Sequence, residues 1–600
     1  MKSQLVLWSL IAWVGISIMA CQPTLEEKAA ASQPNIIIII TDDQGYGDLS
    51  CHGNPDLKTP HLDQLYAESV RFTDFHVGTT CAPSRAGLMT GQYCNKVGAW
   101  HTIKGRQMVW SDEVMLPELL KEEGYATGMF GKWHLGDTPP YRPQDRGFDE
   151  VLMHGGGGVG QTPDYWNNDY FDDTYFHNGK PEKKAGYCTD VWFEAALEFM
   201  QTNKDKPFFS YISTNAPHGP FYVDTTYSKV YEGKQNVVNA NFYGMISNID
   251  ENLGRLRQKL MEWEIADNTI LIFMTDNGSA AGSQLNKSGF VTKGYNAGMR
   301  GKKGSPFEGG HRVPLFIHWK DGKVEGGRDI EQLAANIDLA PTLLDWAGIQ
   351  PKVETDFDGM SLRSLIENQP WEDRTLFADT QRKEDLVKYK DYSIMTEDWR
   401  LVSGQLFDIK ADPGQRIDVA AANPEVVEKL MQEYETWWNK VSARAGDYCY
   451  FLLGEKPGAP QCLTQHDLLT EGRSVAWNQR QIRAGKGVMG HWPIEIKMAG
   501  KYRFDLRRWP VESGLKLVEK APVGDKIPQG LAYPEGVALD IRAAAIEVGD
   551  KQAEKVLEPG AGAADFTLTL APGQYKLFAN FKDDQDNYSS AYYVYAERLE

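Results

Sequence analysis

Asn35-Ile36-Ile37-Ile38-Ile39-Ile40-Thr41-Asp42-Asp43-Gln44-Gly45-Tyr46-Gly47-Asp48 is a β-branched run that stops abruptly at two carboxylates. Five consecutive isoleucines, Ile36 to Ile40, predict a strand buried on both faces of a parallel sheet. Three further stretches repeat the arrangement: Ala126 to Phe130 leads into Gly131-Lys132-Trp133-His134, Pro207 to Ser213 into Asn215-Ala216-Pro217-His218, and Thr269 to Met274 into Thr275-Asp276-Asn277. Helical spacing of apolar residues lies between them, over Pro117 to Glu123, Val191 to Thr202 and Asn241 to Trp263. Strand and helix in alternation predict an α/β fold, a mainly parallel sheet sandwiched by helices.

In such a sheet the polar strand ends converge on one edge, where open α/β sheets bind ligands. Asp42 and Asp43 could instead form an ordinary turn and helix cap, but the repetition favours a site. The geometry gathers Asp42, Asp43, Asp276 and Asn277 around one hard cation. Oxygen-only donors suit calcium or magnesium better than zinc, even with His134 and His218 near, and calcium is the first choice.

Cys81-Ala82-Pro83-Ser84-Arg85 continues through Ala86, Gly87, Leu88, Met89, Thr90, Gly91 and Gln92. Pro83 suits the first turn of a helix, which places Cys81 at a helix N-terminus, where free amides and the dipole favour an anion. A lone cysteine is most often a small buried hydrophobe; here its position gives it a second use. Met299 to Pro314 forms a Gly-rich basic loop with Lys302 and Lys303.

The Cys81 stretch resembles the signature of the type I, formylglycine-dependent sulfatases, and the remaining elements fall in that family's order over roughly residues 35 to 345. The resemblance implies an alkaline phosphatase-like fold and a sulfuric ester hydrolase. In that family the cysteine is oxidised by a formylglycine-generating maturation enzyme; Cys81 is the candidate, its aldehyde hydrate being the nucleophile and a ligand of the cation. Arg85 and Lys132 are then expected to orient the hydrate and His134 to be the base for sulfate release. His218 and Lys303 are expected to contact the ester, His218 as general acid because its reference pKa lies near neutrality. A polar residue expected after the second signature has no match in the Gly-rich stretch His154 to Gln161.

Six hundred residues exceed one core. Residues 33–350 are expected to form the catalytic domain and 351–445 a smaller sheet-and-helix subdomain, with a helix from Glu425 to about Lys440. Period-two alternation at Tyr502, Phe504 and Leu506, and again at Phe566, Leu568 and Leu570, predicts a β-sandwich over 446–600. The opening Met1-Lys2 and the uncharged run Leu5 to Ala20 read as a signal peptide, residues 1–21, with Ile18-Met19-Ala20-Cys21 resembling a lipoprotein cleavage site. The expectation is an exported protein, periplasmic or held at the cell surface through a lipidated Cys21.

A formal net charge of −19 argues against a nucleic-acid surface. Export permits disulfides, and Cys449 with Cys462 could bridge a loop or stay free. Tyr165, Trp166, Tyr170, Phe171 and Tyr175 interleave with Asn and Asp, so they line a sugar site or pack a long loop. A sulfated carbohydrate is favoured over an aryl sulfate as substrate. The rival readings are a phosphonate or phosphodiester hydrolase of the same superfamily and a non-catalytic glycan-binding lipoprotein in which Cys81 stays a thiol.

Overall fold

The computed structural model describes residues 33–455, 458–528 and 530–599; the signal peptide and Cys21 lie outside them. Strand Asn35–Thr41, buried along its whole length, is at the centre of a ten-stranded sheet. It pairs in parallel with Phe208–Ser213 on one side and Thr269–Thr275 on the other. Ala126–Lys132 and then Glu150–His154 extend the parallel region. Leu315–His318 runs antiparallel beside Thr269–Thr275, and the hairpin Thr174–His177, Lys180–Lys183 closes the far edge.

The pleat explains why five consecutive isoleucines are needed. Alternate residues point to opposite faces: Ile36, Ile38 and Ile40 share a core with Ala86, Leu88 and Met89, and Ile37 and Ile39 with Trp192, Phe193, Ile249 and Leu253. The first group of partners lies on helix Cys81–Thr90, the second on helices Cys188–Asn203 and Ala240–Glu262. Each buried isoleucine contributes about 1.5–3 kcal/mol. Asn239 caps the long helix, its side chain accepting from the Phe242 amide.

Beyond this layer, strands Leu376–Asp379, Tyr392–Met395, Trp399–Val402 and Gln405–Asp408 make an antiparallel sheet. Helix Pro424–Val441 covers it through Leu430, Tyr434, Trp437 and Trp438. The last stretch forms a six-stranded and a four-stranded sheet whose common core holds Trp492, Ile494, Phe504, Leu506, Ile546, Phe566 and Leu577. Burial alternates strictly along Ala564–Leu570. That core also takes in Trp100, Met108, Trp110 and Tyr141, so the sandwich is packed onto the α/β layer. Cys449 and Cys462 stay unbridged: the six cysteines of the described residues are free thiols. No helix among the described residues is long and apolar enough to cross a membrane.

Candidate active site

The strand ends meet as their pattern requires. Asp42 and Asp43 follow the central strand, and Asp276 and Asn277 follow its parallel neighbour. The Asp43 amide donates to Asp276 Oδ1 at 3.0 Å and Asn277 Nδ2 to Asp43 Oδ1 at 2.9 Å. Cys81 opens its helix, and a ligand atom from each of Cys81, Asp42 and Asp43 falls within 4.8 Å of the others. Gly91, with φ 66°, ends that helix in the left-handed conformation glycine tolerates.

Three cations face the three carboxylates. Lys132 Nζ is 2.6 Å from Asp42 Oδ2, Lys303 Nζ 2.5 Å from Asp43 Oδ1, and Arg85 Nη2 2.8 Å from Asp276 Oδ2. Arg85 also donates to the Lys132 carbonyl and to Ser213 Oγ. Of the two adjacent lysines, Lys303 is thus the one that enters. His218 Nε2 stands 3.7 Å from Asp43 Oδ2.

Burial dominates the electrostatics. It raises Asp42 well above the usual carboxylate range, Lys132 only partly offsetting it. At Asp43 burial acts the same way but is outweighed by Lys303, His218 and Lys132, which hold it low. Burial raises the Cys81 thiol even though Lys132 and Lys303 oppose it, so little reactive thiolate forms. His218 is pushed down to about 4 by burial, against the pull of Asp43. It is therefore neutral near pH 7 and needs an arriving anion to become an acid.

His134 settles its own tautomer. Its Nε2 lies 2.8 Å from the Thr102 carbonyl, which can only accept, so Nε2 carries the proton. Nδ1 is buried with no partner and remains the basic nitrogen. Burial, then Lys132 and His466, lower this imidazole well below its ordinary value.

Asp42 Oδ1 and Asn277 Oδ1 are likewise buried and unpartnered. Each such oxygen costs about 1–3 kcal/mol unless something binds it. With the carboxylates of Asp43 and Asp276 they form an all-oxygen donor set, which fits a hard divalent cation. A second cluster, His76, Glu308 and His311, differs. Its ring nitrogens are engaged by Asp74, by each other at 2.9 Å and by the Pro306 carbonyl. Arg400 bridges Asp74 and Glu308 at 2.7 and 2.8 Å, so this network braces the Lys303 loop from beneath.

Sequence reasoning found no partner in His154 to Gln161, and the structure shows why. Gly157 lies flat on His134, where a Cβ would sit 2.3 Å from the ring. The Gln161 side chain accepts from the Gly157 amide at 2.8 Å and lies beside Gly158, which faces His218. Gln161 thus reaches the site through a backbone turn that no spacing rule signals. His466, from the sandwich, was also missed; its ring centroid is 6.3 Å from that of His134. The aromatic question resolves towards packing: Trp166, Tyr170 and Tyr175 are buried. Tyr165 lines a separate cleft of about 710 Å³ between the edge hairpin and the sandwich.

The sulfatase family model matches residues 34–349, and that of the N-sulphoglucosamine sulphohydrolase C-terminal region residues 302–440. N-acetylgalactosamine-6-sulfatase of Canis lupus familiaris is 30% identical over 460 residues, 68% of this chain and 86% of its own. Arylsulfatase J of Mus musculus is 28% identical over 67% of this chain and 75% of its own. The crystal structure of Ps i-CgsB in complex with k-i-k-neocarrahexaose superposes with a TM-score of 0.61 and 32% identity, covering 68% of this chain and 93% of that one. With its α/β layer matched from the first strand onward, the chain belongs to the sulfatase family and is a sulfuric ester hydrolase.

Proposed function

We propose that the protein removes sulfate from a sulfated carbohydrate, with Cys81 converted to formylglycine by a maturation enzyme. The observation that carries this reading is Cys81 at a helix N-terminus beside Asp42 and Asp43, with Lys132 and Lys303 against the same carboxylates. A thiol whose pKa burial raises is a poor nucleophile towards sulfur; an aldehyde hydrate at the same position offers two hydroxyls.

Asp42, Asp43, Asp276 and Asn277 would hold one divalent cation, calcium by preference. When bound, it would polarise the ester oxygens and the hydrate, and leave net positive charge where the three carboxylates and three cations otherwise cancel. Lys303 and His218 receive the ester, and Arg85, locked on Asp276, fixes the floor. One hydrate hydroxyl bonds through its oxygen to sulfur as the ester S–O bond breaks; its proton passes to Nε2 of neutral His218, which hands it on to the departing alcohol oxygen. The second hydroxyl then gives its proton to His134 Nδ1; its electrons form the carbonyl, the carbon–oxygen bond to sulfate breaks, and the aldehyde returns.

N-acetylgalactosamine-6-sulfatases among the relatives and an oligosaccharide bound to a structural neighbour support a glycan substrate. The division into 33–350, 351–445 and 446–600, export, and lipidation at Cys21 complete the reading. Free sulfate and free phosphate should be measured on panels of sulfated glycans, aryl sulfates and phosphodiesters, with the aldehyde-bearing protein and Cys81→Ala in parallel. Sulfate release is expected from the former and none from the latter, whose circular dichroism should be unchanged. Phosphate alone, or nothing, would overturn the reading. Chelation should suppress turnover, and calcium should restore it better than magnesium.

A further inference from the structure

The segment after strand Leu376–Asp379 runs beside the start of the Cys81 helix and the Lys303 loop. It is tied to the residues preceding Cys81: Thr79 Oγ1 donates to the Asp379 carbonyl at 3.1 Å and Thr380 Oγ1 to Thr79 Oγ1 at 2.9 Å. Gln381, 2% exposed, donates to Asp379 Oδ2 and accepts from the Val387 amide, which fixes the turn from inside. On the far side Trp100 Nε1 donates to the Lys383 carbonyl and Arg106 Nε to that of Glu384.

Held from both flanks, Arg382 adopts φ 40°, a left-handed conformation unusual for a residue with a Cβ. Backbone strain of this kind persists only where the surroundings impose it. The guanidinium reaches the lysine loop: a Cβ at Gly304, next to Lys303, would lie 3.8 Å from Arg382 Cζ. Gly304 in turn donates to the Thr79 carbonyl at 2.9 Å. Across the opening is His101, lowered to about 3 by burial and then by the charge of Arg382; the next residue's carbonyl holds His134.

Its charge is unused. Lys132, Lys303 and Arg85 are each matched to a carboxylate, whereas the exposed Arg382 and the half-buried Lys302 have no ion pair among the described residues. An uncompensated arginine against the Lys303 loop, with the unpaired Lys302 on the same loop, on a chain of net charge −19, is a local trap for anions. Only the arginine offers a planar fork that fits sulfate or carboxylate bidentately.

We propose that Arg382 is a specificity-determining residue that binds a second anionic group of the substrate, a further sulfate ester or a carboxylate, while the scissile sulfate lies between Lys303 and Cys81. This rests on the sulfatase reading and narrows it: the preferred glycan carries at least two anionic groups close together.

The test is calorimetric binding to the metal-loaded, full-length Cys81→Ala protein, with and without Arg382→Ala or Arg382→Lys. The probes are low-mass dextran sulfate, oligogalacturonate and neutral dextran fragments at 0.15 M salt. A roughly tenfold or greater loss for one or both anionic probes on Arg382→Ala is expected, with partial rescue by lysine and no change for neutral dextran. A loss confined to dextran sulfate identifies a second sulfate, and one confined to oligogalacturonate a carboxylate. Equal affinities in the two proteins, or an equal loss for neutral dextran, overturn the proposal. Binding does not depend on turnover, so failure of the sulfatase reading shows separately as absence of Cys81-dependent sulfate release.

Discussion

Lys303 illustrates how much a single side chain does here. Burial alone would lower its pKa, yet Asp43 holds it above the ordinary lysine range, so it stays charged in a closed site. A fixed charge aimed at the transferring group needs no reorganisation during reaction. Under the proposed reaction Lys303→Ala should therefore lower kcat by about 10²–10³, measured as sulfate release at saturating substrate, and leave Asp43 with Asn277 and His218 but without its ion pair. The same change at Lys302, which makes no ion pair among the described residues, should cost far less, which separates the two neighbours. From sequence these lysines were distinguished only by register; the Asp43 contact distinguishes them physically.

Among the elements, the small sheet has a direct hold on the catalytic layer. Arg400, fully buried on strand Trp399–Val402, sits between Asp74 and the Glu308 that opens the short helix Glu308–His311. Burial would raise Glu308, but Arg400 brings it down to about 2. Removing the arginine leaves the two carboxylates to His76 and the longer Arg312 contacts, and Arg400→Ala should destabilise the fold by about 3–5 kcal/mol. Urea unfolding measures that loss, and an accompanying rise in KM would report a loosened Lys303 loop. Strands and helices of this kind were legible wherever periodicity was strong: Ala126–Lys132, Phe208–Ser213 and Ala240–Glu262 fall within one or two residues of their predicted limits. Apolar spacing at Ile337, Leu339, Leu343, Leu344 and Trp346 predicts one amphipathic helix over Asn336 to Gly348, and this segment shows the limit. Its first turn is a 3₁₀ segment, Asn336–Asp338, shaped by Asp338 accepting from the Ala335 amide, before the α-helix Leu339–Trp346.

Buried histidines make the whole molecule acid-sensitive, and His154 is one that lies away from any proposed catalytic role. His154 is 0% exposed, and burial pushes it from the ordinary 6.5 down to about 3. An unfolded chain takes up this proton below pH 6.5 while the folded chain resists until about 3. Stability is thus full above 6.5 and declines as pH falls through that window, at up to about 1.4 kcal/mol per pH unit. Urea midpoints between pH 7 and 3 should show the decline, and His154→Gln should lessen its slope by up to one proton's share, since His101, His134 and His218 are depressed in the same direction. An unchanged slope in the variant would remove His154 as the cause.

The sequence by itself determined the central strand, the layer order, the Cys81 helix and the converging set Asp42, Asp43, Asp276 and Asn277. Apolar period, turn residues and strand-end carboxylates are local properties that survive without knowledge of neighbours. Only tertiary structure decided that Gln161 and His466 lie beside the site histidines and Arg382 against the Lys303 loop, that Trp166, Tyr170 and Tyr175 are packing, and that Cys449 and Cys462 remain thiols. Those contacts join residues tens to hundreds of positions apart, and their energies come from burial and pairing that exist only after the chain has closed on itself.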